Sequence, residues 1–132
     1  MRRTCSLLGL LMLFSLAMNL ADPLEYQWNV KAMPDPQASN DGGRPFDDVL
    51  SFKNGTFTSQ MLSRKGFKPG QYDEDTRRFG PATFSANLSS DSGESAKWTG
   101  TVAATSITGD LVWTKKDGTV LNFSYSGQRS DQ

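Results

Sequence analysis

Between Ser95 and Gly127 the chain alternates apolar and polar residues through SAKWTGTVAATSITGDLVWTKKDGTVLNFSYSG, with almost no spare positions. A period of two marks strands that bury one face. Ala96, Trp98, Gly100 and Val102 share one side of a first strand, and Ile107, Gly109, Leu111 and Trp113 share one side of a second. A turn over Ala103 to Ser106 opposes Val102 to Ile107, Gly100 to Gly109, Trp98 to Leu111 and Ala96 to Trp113. That register puts every apolar residue on a single face. The next loop is decided the same way. A two-residue Asp117-Gly118 turn opposes Trp113 to Asn122 and wastes the pattern. A three-residue loop, Lys116-Asp117-Gly118, with Gly118 left-handed in a bulge, opposes Trp113 to Leu121, Leu111 to Phe123 and Gly109 to Tyr125. The pattern predicts the bulged loop.

Upstream, Tyr26, Trp28 and Val30 alternate with polar neighbours, which predicts a strand from Glu25 to Ala32 with its aromatics inward. Pro34 to Pro45 has no period and reads as a long loop. Its Asn40-Asp41-Gly42 lacks the regular acidic ligands and closing glutamate of a calcium loop, so it reads as a turn. Asp48 to Ser59 reads as a hairpin around a type I′ Asn54-Gly55 turn, with Phe52 facing Phe57 and Leu50 facing Ser59. From Ser59 to Gly66 a serine cap, Arg64 and Lys65 in the last turn and a glycine stop predict a short helix. Met61, Leu62 and Phe67 then cover one end of the β structure. Lys68 to Tyr72 reads as a short edge strand because of Pro69 and Gly70, followed by a charged turn from Asp73 to Arg78. Ala82 to Ser89 is a further strand with Phe84, Ala86 and Leu88 inward, turning back at Asp91-Ser92-Gly93-Glu94.

The fold class that follows is all-β, a small antiparallel up-and-down meander of seven or eight strands with one short helix. Pairing the Tyr26 strand with the Phe123 strand closes it into a barrel and removes the exposed edges of an open sheet. A two-sheet sandwich is the alternative. Facing glycines at 100 and 109 suit a tight barrel corner.

The first residues change the compartment. MRRTCSLLGLLMLFSLAMNLA carries two arginines, an apolar run from Leu7 to Leu16 and then small residues, so residues 1–21 read as a signal peptide cleaved after Ala21 or, in the other frame, Ala17. The run falls short of the ~20 residues of a membrane span. Cys5 precedes it, whereas a lipid-anchored protein needs its cysteine after it. The mature chain, residues 22–132, is then a single secreted or periplasmic domain with no histidine and no cysteine. Its twelve remaining cations against fourteen acids leave a net charge of minus two. That charge implies neither nucleic acid nor an anionic membrane as partner, and no membrane insertion after cleavage.

FKNGTF, then GFKPGQY, then WTGTV, ITGDLVW and a closing DGTV strand together resemble small exported bacterial lipocalin-like, calycin-type β-barrel proteins. The resemblance covers most of the mature chain and implies a lipocalin-like barrel whose interior could hold a small apolar ligand. No catalytic machinery accompanies it. Without histidine or cysteine the commonest general base, the thiol nucleophile and the usual zinc ligands are missing, and neither a Gly-x-Ser-x-Gly elbow nor a phosphate-binding glycine loop occurs. Asp47 and Asp48, and Asp73, Glu74 and Asp75, read as solvated acids in turns. The expectation is a non-enzymatic protein with no cofactor and no metal.

Candidate ligand-binding residues are the inward Trp28, Phe57, Met61, Phe84, Trp98, Trp113 and Tyr125. Tyr125 and the indole N–H groups supply the few polar contacts that orient a guest. The competing reading has the same residues filling the core. The protein is then an interaction or inhibitor module of the cell envelope that meets a protein partner through Pro34 to Pro45. An apolar cavity of a few hundred Å³ separates the two.

Overall fold

The computed structural model describes residues 24–76 and 80–130. The predicted signal peptide and the Arg77-Arg78 end of the predicted charged turn lie outside them. The elements run β1 (Gln27–Pro34), α1 (Pro36–Asn40), β2 (Phe46–Lys53), β3 (Thr56–Ser59), α2 (Gln60–Arg64), β4 (Gly70–Asp75), β5 (Ala82–Ser89), β6 (Ser95–Ala103), β7 (Ser106–Thr114) and β8 (Val120–Arg129). The eight strands follow one another around a closed antiparallel barrel in sequence order, and β1 pairs with β8 to complete it. All strand edges in this ring are hydrogen-bonded, which is what closure achieves.

The registers follow from keeping apolar residues together. Val102 opposes Ile107, Gly100 opposes Gly109, Trp98 opposes Leu111 and Ala96 opposes Trp113, as the alternation predicts. Trp113 opposes Leu121, Leu111 opposes Phe123 and Gly109 opposes Tyr125, with Gly118 at φ 92° in the bulged loop. Asn54 and Gly55 have φ of 53° and 80°, the left-handed pair that a type I′ hairpin needs, and Phe52 faces Phe57.

The inward side chains meet in the middle. Phe52, Phe57 and Phe84 pack with centroids 4.7–5.8 Å apart, Trp98 lies 5.5 Å from Phe57, and Tyr125 lies 5.3 Å from Trp98. A ring this narrow leaves room for little beyond its own side chains. Gly100 and Gly109 make the space for Tyr125, whose hydroxyl lies over both and donates to the Thr99 carbonyl at 2.8 Å. A β-carbon on either glycine would collide with that hydroxyl. Burial pushes the Tyr125 phenol far above its ordinary value, and the Asp110 charge adds to the shift.

The structure departs from the sequence reading in four places. The 34–45 segment is not all loop: Asp35 accepts from the Ala38 N–H at 2.7 Å, Pro36 starts the helix, and buried Ala38 anchors α1. The described residues thus hold two short helices, not one. The predicted edge strand at Lys68–Tyr72 is instead β4, flanked by β3 and β5, and Asp73 to Asp75 belong to it and not to a turn. The closed ring absorbs a strand that would be an edge in an open sheet. Tyr26 is not inward: it precedes β1 and is exposed, with the Arg129 guanidinium 4.2 Å above its ring. Asp48 is not a solvated turn acid, because it shares the inward parity of Leu50 and Phe52 on β2.

Candidate functional site

The two ends of the barrel are built differently. At one end β2–β3 and β6–β7 are joined by two-residue links, and Leu24, fully buried, accepts from the Trp28 indole at 3.4 Å. At the other end lie the longer connections 35–45, 60–69, 90–94 and 115–119. A hollow of about 290 Å³ opens there. Its floor is Phe46, Met61, Trp113, Leu121 and Phe123, and its rim is Gly42 to Pro45, Lys65 and Lys115.

Local chemistry positions each wall. Gly43 approaches α1 so closely that a β-carbon would lie 2.9 Å from the Ala38 carbonyl, and its own N–H donates to that oxygen at 2.7 Å. This contact turns 42–45 back over the barrel end. Trp113 packs on Phe123 and Phe67 with centroids 6.4 and 6.1 Å away. Its indole N–H donates to Glu94 at 2.9 Å, and the Lys115 ammonium sits 4.6 Å above its ring and 3.9 Å from the same carboxylate. Trp113 therefore stays at the floor of the hollow with its polar edge already satisfied.

Asp48 holds the remaining wall. It is 5% exposed, and one carboxylate oxygen accepts from the Val49 N–H at 2.7 Å and the Met61 N–H at 2.8 Å. The other accepts from the Ser59 hydroxyl at 2.5 Å, and that hydroxyl in turn accepts from the Leu62 N–H at 3.2 Å. The network caps α2 and ties it to β2, which is how Met61 reaches the hollow. Burial raises the Asp48 carboxyl above its ordinary value, outweighing the hydrogen bonds that lower it. Sequence reasoning missed this residue. Its signal was the parity of positions 48, 50 and 52.

The seven sequence-predicted site residues divide. Met61 and Trp113 come together in the hollow. Trp28, Phe57 and Trp98 are fully buried, and Phe84 and Tyr125 nearly so, within the packed barrel. The Trp98 indole N–H has no hydrogen-bond acceptor among the described protein atoms, a cost of about 1–3 kcal/mol for a buried donor. Of the remaining members, Leu121 and Phe123 are predicted by the sequence as inward strand residues and the 42–45 turn as part of the 34–45 loop, whereas Phe46 has no signal of its own. Among the described residues four other hollows are larger, and the two largest are edged mainly by polar and charged residues. One of about 530 Å³ shares Lys115 and is bounded by Asp41, Glu94, Lys116, Asp117 and Thr119. The other, about 550 Å³, lies between α2 and the β1–β2 hairpin among Asn29, Lys31, Asp47, Gln60 and Arg64. Among the described residues no cluster of acids, histidines or cysteines is placed to hold a metal. No described helix is long and apolar enough to cross a membrane.

Compared with known protein families, curated proteins and solved structures, the chain has no match.

Proposed function

We propose that this protein is an exported, non-enzymatic, lipocalin-like binding barrel that takes a small molecule with an apolar body at its mouth, not in its interior. The observation that carries the reading is the hollow itself. Met61 from α2, Trp113 from β7 and the 42–46 segment converge on about 290 Å³ of apolar-floored space, while the rings deeper in the barrel pack against one another. Pockets for small molecules are of this kind, mostly apolar with a few polar groups at the edge, and this one is at the small end of the range.

A neutral probe tests it. Titration with 1-octanol, followed by NMR on the Met61 methyl and the Trp113 indole, gives saturable shifts at both under this reading, with Trp98 and Phe57 unmoved. Shifts at Trp98 and Phe57 instead move the guest into the barrel. An absence of saturable shifts sinks the binding reading and favours the loop-mediated interaction module, to which the packed interior and the ordered 42–45 turn are equally suited.

A further inference from the structure

We infer that the guest at the mouth is an anionic amphiphile of about eight carbons, with a carboxylate or similar oxyanion head. The inference rests on the mouth reading and adds the charge and length of the occupant. Three cations, Arg44, Lys65 and Lys115, edge the hollow, and no carboxylate lines it. They come from three separate connections, so neither a helix dipole nor a single charged face brings them together. The fold does.

The nearby acids have other engagements. Glu94 accepts from Trp113 and pairs with Lys115, Asp41 accepts from the Gln37 amide at 3.1 Å, and Asp117 caps its own loop through the Thr119 N–H at 2.9 Å. Arg44 and Lys65 enter no ion pair among the described residues. Two uncompensated cations beside an apolar floor are the complement of one molecule with a hydrocarbon body and an anionic end. The hollow, at about 290 Å³, is small among ligand pockets, which suits a short-chain amphiphile such as an eight-carbon acid.

The test is calorimetric titration of the purified protein with octanoate, 1-octanol and octyltrimethylammonium, at about 20 and about 300 mM salt. Octanoate is expected to bind roughly ten-fold more tightly than octanol at low salt, from two or three partly screened charge contacts. That preference shrinks at high salt. In the double variant R44Q/K65Q octanoate is expected to lose its preference over octanol when both are titrated into that variant. Should the variant fail to fold, the salt series on the unaltered protein decides alone.

Equal affinity for octanoate and octanol, a preference that survives R44Q/K65Q or high salt, or tighter binding of the cationic probe each overturns the anion inference while the mouth reading stands. Failure of octanol and octanoate alike overturns both. Co-sedimentation with dioleoylphosphatidylglycerol vesicles separates the sources of the anion. Binding to vesicles without binding of octanoate assigns the cations to a membrane surface and overturns the inference of a free amphiphile.

Discussion

The Tyr125 hydroxyl occupies the space that two β-carbons would otherwise fill, so Gly100→Ala and Tyr125→Phe must not act independently. Tyr125→Phe alone removes the bond to the Thr99 carbonyl and is expected to cost about 1 kcal/mol. Gly100→Ala alone presses a β-carbon against the hydroxyl, with Phe84 Cε1 at 2.6 Å and the Thr108 carbonyl at 3.0 Å behind it, an overpacking worth about 1–3 kcal/mol. In the double variant the hydroxyl is gone and the Phe84 ring edge can tilt. The two losses should then fall short of additive by ~1 kcal/mol. Gly109 supplies the control. Its β-carbon would strike the Thr99 carbonyl and lie 2.6 Å from Gly100 Cα, both backbone, so Tyr125→Phe cannot relieve Gly109→Ala. Urea unfolding of the two cycles, read by tryptophan fluorescence, measures both coupling energies. Additivity within about 0.5 kcal/mol in both cycles, or equal coupling in both, would refute the assignment of the hydroxyl as the filler of that space.

Two further outcomes are expected. Because burial holds the Asp48 carboxyl above its unfolded value, the ionised form is disfavoured in the folded state: its contribution is fully present below the unfolded value near 3.8 and lost as pH rises through the folded one. Wild type should therefore gain stability relative to Asp48→Asn as pH falls from neutral to 4. A loss of relative stability over that window, in chemical denaturation curves, would show the hydrogen bonds outweighing burial. Gly127→Ala places a β-carbon against the Asn29 carbonyl and 2.6 Å from Val30 Cα across the β1–β8 seam, and should cost about 3 kcal/mol or more. Hydrogen exchange at the β1 amides should accelerate first, and unchanged protection there argues against the seam being closed through Gly127.

Much of the barrel was legible because strand parity is a strict constraint. In β6 to β8 a slip of one residue exposes Trp98, Trp113, Phe123 and Tyr125 together, so a single register survives. Turn chemistry added Asn54-Gly55 and Gly118, where positive φ has few takers. α2 announced itself through Ser59 and Gly66. What stayed illegible had weak local signals or was overridden by residue type. α1 is five residues long, too short for a helical period to show, and only Asp35 before Pro36 marked it. β4 reads from the sequence as a short edge strand, because of Pro69 and Gly70, running into a charged turn, although Tyr72, Asp73, Glu74 and Asp75 alternate in burial. Asp48 has the parity of the core, but its charge argued for the surface, and only the docking of α2 gives that buried carboxylate its partners. The mouth is non-local altogether. Segments 42–46, 61–65 and 113–123 meet there only because the ring has closed.

That division between parity and convergence also says which residues are free to change the guest proposed for the mouth. The inward residues of β5 to β8 hold the ring, and altering them is paid in stability. At the mouth, α2 and the 42–45 turn are held by backbone contacts and by Asp48, not by the side chains of Met61, Arg44 or Lys65. Met61 is gripped through its N–H, whereas its side chain is only partly buried, and Arg44 and Lys65 extend from a loop and a helix end. Substitutions at Met61, Arg44 and Lys65 should therefore alter affinity and charge preference at little cost to folding, while Leu62, one residue away and fully buried, should do the reverse. A mouth whose walls are fixed by backbone, and whose Met61, Arg44 and Lys65 side chains lie outside the buried core, can be retuned at those three positions without rebuilding the barrel.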